Sequence, residues 1–293
     1  LTAILLTELL YEAGLPHYML STLLGPTKEI AEPLVKDPRV DIVSFTGSVA
    51  VGKHIASSVG YKKVILELGG NDPLIIMEDA DMDTAVHLAA EGSFRNSGQR
   101  CTAVKRILIH EKIKDAFLEK FLEKAKTYTC GDPADPETKV GTVIDEPAAI
   151  YLESVVNKAV EQGAKVLLGG KRNGALLEPT VIDNVPRNAQ MIVQESFGPL
   201  APILTFKDID DAIALSNSTA YGLSSGIVTH NMDYALRFIK ELKVGTVNIN
   251  EVPGYRIESS PFGGIKDSGL GIKEGVIEAM KCFTYVKTFS LPW

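Results

Sequence analysis

The chain reads as an α/β protein: a partial doubly wound, Rossmann-like sheet followed by a second α/β domain. Short apolar runs of strand length alternate with stretches of helical periodicity through most of its 293 residues, and that alternation implies parallel βαβ crossovers. Several runs end in glycine-bearing turns, the position at which open α/β sheets bind ligands. With 45% hydrophobic and 23% charged residues the chain has the composition of a folded globular protein, and its length suggests about two domains.

A formal charge of −7, with no lysine or arginine block longer than a pair, argues against nucleic acid or an anionic membrane as the main partner. Cysteines at 101, 130 and 282 are an odd count in a long chain and point to a reducing, cytoplasmic setting over a disulfide framework. Leu1 to Gly14 has helical spacing, no basic leader and no span of bilayer length, so it reads as a buried helix stopped by Gly14 and not as a signal peptide. It begins abruptly, which suggests a segment upstream.

The elements then follow in order. His17 to Leu24 alternates as a strand, Lys28 to Leu34 is a short helix, Asp41 to Phe45 a strand, Ser48 to Ser58 a helix and Lys63 to Glu67 a strand. The run Phe45-Thr46-Gly47-Ser48-Val49-Ala50-Val51-Gly52-Lys53-His54 is a glycine turn leading into a helix, which offers free N–H groups to an anion with Ser48 as cap or donor. It nearly satisfies the Gly-x4-Gly-Lys-Ser/Thr phosphate loop of nucleotide hydrolases, but His54 stands where a hydroxyl must hold magnesium. A plain glycine-assisted helix start also explains the turn. Glu67 ends its strand beside Gly69 and Gly70 and exposes a carboxylate to a cleft.

Pro73 to Met77 is a strand, and Glu78 to Asp83 resembles a calcium loop only superficially, since Thr84 replaces the required glycine and Ala90 the bidentate glutamate. An acidic start to the next helix accounts for it better. Apolar periodicity stops at Phe94-Arg95-Asn96-Ser97, and Gly98-Gln99-Arg100-Cys101-Thr102 forms a polar connection before the strand Val104 to Ile109. Cys101 is either a small buried hydrophobe or a thiol placed to act on a substrate, with Arg100 favouring the thiolate. A thiol that passes through a thioester needs a base to activate water, and Glu67 is a carboxylate of the required type.

Lys112 to Tyr128 reads as an amphipathic scaffold helix, with Cys130 structural beyond it. A helix near Ala148 to Gln162, strands at Lys165 to Leu168 and from Pro179, and the turn Gly169 to Gly174 demand no function. Gln194-Glu195-Ser196-Phe197-Gly198-Pro199 is either an ordinary turn or a carboxylate and aromatic placed for ribose hydroxyls and a nicotinamide ring. Alternation resumes with the strand Ala201 to Phe206, the helix Asp208 to Leu215, the strand Gly222 to Val228, the helix Met232 to Leu242 and the strand Gly245 to Ile249. After the loop Asn250 to Ser260 comes Pro261-Phe262-Gly263-Gly264-Ile265-Lys266-Asp267-Ser268-Gly269, and the tail Phe283 to Ser290 alternates like a strand with no later partner.

Four of these stretches, in this order, resemble signatures of the aldehyde dehydrogenase superfamily: Phe-Thr-Gly-Ser-x-x-x-Gly from Phe45, Glu67-Leu-Gly-Gly-Asn with Gly-Gln-Arg-Cys101, Glu195-Ser-Phe197-Gly-Pro, and Pro261 to Gly269. The resemblance runs to the end of the chain and covers roughly the last three fifths of the family's usual length. It implies a chain truncated at the N-terminus, with a partial dinucleotide-binding domain at 1–69, a catalytic domain at 70–268, and a return helix and oligomerisation strand at 269–293. Cys101 would be the nucleophile and Glu67 the base. NAD or NADP would contact Gly47, Ser48, Val51, Gly52, Leu68, Gly69, Glu195 and Phe197. Arg100, Thr102 and Arg256 would meet the aldehyde, and the two guanidinium groups suit a phosphonate, phosphate or carboxylate tail; Arg256 equally reads as a solvated surface charge. The branch around Arg256 most resembles phosphonoacetaldehyde dehydrogenases. The family implies a homodimer or homotetramer and no metal, and the five histidines form no HxH or HExxH pair.

The asparagine that supplies a second oxyanion donor and the lysine turn for the adenosine ribose lie upstream in the family, so the expectation for this chain alone is weak or undetectable turnover. The competing expectations are a non-catalytic remnant that serves as an assembly partner, and a magnesium-dependent nucleotide hydrolase that uses Lys53.

Overall fold

The computed structural model describes residues 1–272 and 274–292. They form two compact units, one of Leu1–Ser44 with Lys53–Val64 and one of Phe45–Gly52 with the remainder from Ile65. The first contains α1 (Thr2–Glu12), α2 (Thr27–Lys36) and the greater part of β1 (Ile42–Thr46) and α3 (Val49–Ser58); β1 pairs with β2 (Lys63–Glu67). The expected strand over His17 to Leu24 is not present. His17–Met19 is a 3-10 turn and residues 20–24 lie outside regular structure. No other strand pairs with that stretch among the described residues, and alternation cannot make a strand without a neighbour to satisfy its N–H and C=O groups.

The second unit is organised by a seven-stranded sheet. Its elements are β3 (Pro73–Ile76), α4 (Met82–Phe94), β4 (Arg106–His110), α5 (Lys114–Lys126), α6 (Glu146–Glu161), β5 (Lys165–Leu168), the hairpin β6 (Arg172–Asn173) and β7 (Leu176–Leu177), β8 (Thr180–Asp183), α7 (Gln190–Val193), β9 (Leu200–Phe206), α8 (Ile209–Asn217), β10 (Ser224–Val228), α9 (Met232–Glu241), β11 (Thr246–Ile249) and α10 (Val276–Cys282). The strand order is β11-β10-β3-β4-β9-β8-β5, parallel throughout except for β5.

Side-chain parity divides the apolar interior in two. Ile75, Leu108 and Leu204 face α6, α8 and α9 in one cluster, while Leu74, Ile76, Ile107, Ile109 and Ile203 join Phe94, Phe117 and Phe121 of α4 and α5 in the other. Helices on both faces explain why β3 and β4 are buried at every position. The acidic run before α4 is used locally: Asp81 caps α4 through the Thr84 N–H, Asp79 accepts from Thr229 and His230, and Glu78 accepts from Tyr234. The tail from 283 forms no strand within the chain among the described residues, and Tyr285, Val286, Phe289 and Leu291 are exposed.

Arg106 is the charged group that the sheet depends on. It is 2% exposed, and its guanidinium donates to the carbonyls of Asn71 (2.8 Å), Leu215 (3.0 Å) and Ser216 (3.1 Å), joining the entry to β3 with the end of α8. Burial lowers its pKa to about 10, so it stays charged at neutral pH. Arg106→Met removes the guanidinium donor from the Asn71 and Ser216 carbonyls, while the Leu215 carbonyl keeps the Ser218 hydroxyl (2.8 Å), and is expected to cost about 2 kcal/mol or more of unfolding free energy in urea titrations. A loss below about 1 kcal/mol would contradict this account.

Candidate active site

A cleft of about 470 Å³ is lined by Thr46, Gly47, Ser48, Glu67, Leu68, Gly69, Gln99, Arg100, Cys101, Glu195 and Phe197, all within the second compact unit. Its thiol arrives on a strained turn. Asn96, Ser97 and Gly98 have φ of 55°, 55° and 68°, so three successive residues occupy the left-handed region before Gln99 turns the chain back. Gly98 is required by more than its φ. A Cβ there would stand 2.1 Å from the carbonyl oxygen of Gly198, so the thiol turn lies backbone to backbone on the turn that carries Glu195 and Phe197.

Phe197 has φ of 56° and its ring is half-exposed in the cleft. Glu195 is held through one oxygen, which accepts from the Gly70 N–H (3.1 Å) and lies 3.2 Å from Lys105 Nζ. Its other oxygen runs over Gly69, where a Cβ would approach within 2.1 Å. Glu67 is buried, its carbonyl accepts from the Gly47 N–H (3.1 Å), and Gly263 leaves room for its carboxylate, because a Cβ there would lie 2.8 Å from Glu67 Oε1.

Cys101 is a free, partly buried thiol. Burial pushes its pKa up, Lys105 and the Thr102 N–H act in the opposite direction, and Asp72 and Glu195 add to the rise. The guanidinium of Arg100 donates to the carbonyls of Glu91 (3.4 Å) and Gly92 (3.2 Å), so Lys105 is the cation that favours the thiolate most.

The aldehyde dehydrogenase family pattern matches residues 1–289. The chain belongs to that family. A sulfoacetaldehyde dehydrogenase of Neptuniibacter caesariensis is 40% identical over 98% of this chain and 62% of its own length. Among solved structures, a glyceraldehyde-3-phosphate dehydrogenase of Methanocaldococcus jannaschii complexed with NADP has a TM-score of 0.93 at 39% identity, covering 97% of this chain and 63% of the other. An NAD-dependent aldehyde dehydrogenase of Sinorhizobium meliloti has a TM-score of 0.94 at 37% identity, covering 100% and 60%. The chain therefore spans about three fifths of the length of the relatives it matches.

The cleft gathers most of the residues that the family resemblance selects: Cys101, Glu67, Gly47, Ser48, Leu68, Gly69, Glu195, Phe197 and Arg100. Four stand apart from it. Val51 is exposed on α3 and its N–H donates to Ser48 Oγ (3.4 Å); Gly52 lies against the Leu68 side chain; Thr102 packs against Gly254. Arg256 stacks 4.9 Å over the Phe262 ring, is 3.6 Å from Glu274 and is not among the residues that line the cleft. The helix α3 begins at Val49, three residues before Gly52, which leaves no open loop of the phosphate-binding type ahead of Lys53. Cys130 is a partly buried thiol whose Sγ lies 3.7 Å from the Leu177 carbonyl.

Sequence reasoning missed Gln99, Asp72 and Lys105. Asp72 is 2% exposed, accepts from the Ser224 N–H (3.2 Å), and is pushed up to about 7 by burial, against the pull of Lys105. A carboxyl whose pKa is raised on folding keeps its proton in the folded state after the unfolded chain has released it. Stability from this group is therefore present at low pH and falls as pH rises from about 4 towards 7. Asp72→Asn is expected to lose that slope, so that in thermal unfolding the variant gains on the wild type between pH 5 and about 8. Parallel curves would show that Asp72 does not titrate there.

Proposed function

We propose that this chain carries the thiol site of an NAD(P)-dependent oxidation of aldehydes with a small anionic tail to carboxylic acids. The observation that carries the reading is that Cys101, Glu67, Glu195, Phe197 and the Gly47-Ser48 turn line one cleft. The residues suit a dinucleotide. The start of α3 offers N–H groups to phosphate, the outer oxygen of Glu195 is an acceptor for ribose hydroxyls, and the Phe197 ring supplies an apolar face. The cofactor, when bound, supplies the hydride acceptor.

Cys101 as thiolate would add to the aldehyde carbon, forming a C–S bond and an alkoxide that its own backbone N–H helps to hold. Loss of hydride from that carbon restores C=O as a thioester. Glu67 would take a proton from water, whose oxygen attacks the thioester carbon, and the C–S bond breaks to return the thiolate. Arg100 supports an anionic tail: it lines the cleft, and its buried Nε–H has no acceptor among the described residues. The sulfoacetaldehyde named for the Neptuniibacter relative is an aldehyde of this class. We also propose self-association through the exposed apolar tail.

Intact mass after thiol labelling, read beside NAD(P)H absorbance, tests the reading. Sulfoacetaldehyde or phosphonoacetaldehyde is expected to protect Cys101 at lower concentration than acetaldehyde. Glu67→Gln, given cofactor, is expected to release at most one equivalent of NAD(P)H and retain an acyl adduct, with steady turnover reduced about a hundredfold or more. Absence of protection by any aldehyde would defeat the proposal, and unchanged turnover in Glu67→Gln would remove Glu67 from it.

A further inference from the structure

Lys105 is 4% exposed, immediately before β4, and takes no part in the steps above. Its Nζ lies 2.8 Å from the Arg100 carbonyl, 2.6 Å from the Cys101 carbonyl and 3.2 Å from Glu195 Oε1, which together use the three donors of an ammonium. The same nitrogen stands 5.9 Å from the centroid of Phe197, and the Lys105 N–H donates to the Asp72 carbonyl (3.0 Å). A buried ammonium is costly unless every donor is paired. Here the partners come from the thiol turn and from the Glu195 turn, the two segments that must share one register for a thiol and a cofactor carboxylate to serve the same reaction.

We propose that Lys105 is a positioning residue of this site: its ammonium ties the carbonyls of the Cys101 turn to the carboxylate of Glu195 and keeps a fixed positive charge beside the thiol. The inference rests on the reading of Cys101 as nucleophile. The charged groups around Lys105 are Asp72 from the segment before β3, Glu195 from the turn before β9, Cys101 from its own loop, and the neighbouring Arg106, which acts on Asp72. Lys105 lowers the thiol pKa while Glu195 and Asp72 raise it, so the two ends of the tie have opposite signs. Without Lys105, Asp72 binds a proton more readily, and the loss of that negative charge offsets part of the effect; an Asp72→Asn background removes the offset.

The test is the pH dependence of Cys101 alkylation by iodoacetamide, followed by peptide mass so that Cys130 and Cys282 are counted separately. It requires neither turnover nor bound cofactor. Lys105→Met, close in volume but uncharged, is expected to raise the midpoint by about half a unit or more in the Asp72→Asn background, roughly threefold slower at a fixed pH below the midpoint. Lys105→Arg is expected to restore most of the reactivity, and Glu195→Gln to move the midpoint down. A Lys105→Met profile that superimposes on its parent overturns the inference, as does a Lys105→Arg as impaired as Lys105→Met. If Lys105→Met does not fold, Glu195→Gln decides: no downward movement overturns it. Failure of wild-type Cys101 to react ahead of the other thiols would instead sink the nucleophile reading, and this inference with it.

Discussion

The backbone contact between Gly98 and Gly198 makes one site out of two turns that are distant in sequence. A Cβ on Gly98 would fall 2.1 Å from the facing carbonyl, and no rotamer change can relieve a clash between main-chain atoms. The half of the cleft that carries Cys101, Glu195 and Phe197 depends on that closeness. It places the Glu195 carboxylate within reach of the Gly70 N–H and Lys105, and it fixes Phe197 on the turn that leads into β9. The unfavourable φ values of Asn96, Ser97 and Phe197 persist because this contact and the surrounding hydrogen bonds over-determine the loop.

The sheet explains why such a contact can be rigid. β3, β4 and β9 are covered by helices on both faces, and Arg106 ties the start of β4 to the loop before β3 and to the end of α8. The segments that meet at the thiol, 71–72, 101–105 and 194–199, all precede strands of this sheet. The general rule that open α/β sheets bind ligands at the carboxyl ends of their strands describes Thr46 and Glu67, which close β1 and β2, and not the turns before β3, β4 and β9. The cleft is thus built from carboxyl ends on one side and amino ends on the other.

That division accounts for how much was legible in the sequence. Glycine turns, the thiol and the two glutamates are local signatures, and alternating runs gave most strands and helices within a residue or two of their limits. Lys105 and Asp72 were not legible, because a lysine at the start of an apolar strand and an aspartate in Asn71-Asp72-Pro73 read as an ordinary polar flank and a turn. Their importance comes from burial, which only the packed sheet creates. Arg256 shows the converse. The loop that carries it suggested convergence with Arg100, and the structure stacks its guanidinium on Phe262 and sets it 3.6 Å from Glu274, outside the lining of the cleft. The alternation in His17 to Leu24 and in the tail promised strands, and alternation says nothing about whether a partner strand lies alongside.

The buried charges also bear on how the thiol titrates. Asp72, held near 7, ionises below the range of the Cys101 thiol, which burial pushes up from its ordinary value. Each Asp72 that ionises adds a negative charge close to Cys101 and opposes the thiolate, while Lys105 attracts both anions. Asp72 therefore releases its proton first, and the thiol ionises against a carboxylate that is already charged. The thiolate thus forms against the Asp72 charge, with Lys105 acting in the opposite direction. The carboxylate that costs the fold stability above neutral pH is the same one that helps to hold the Cys101 thiol up.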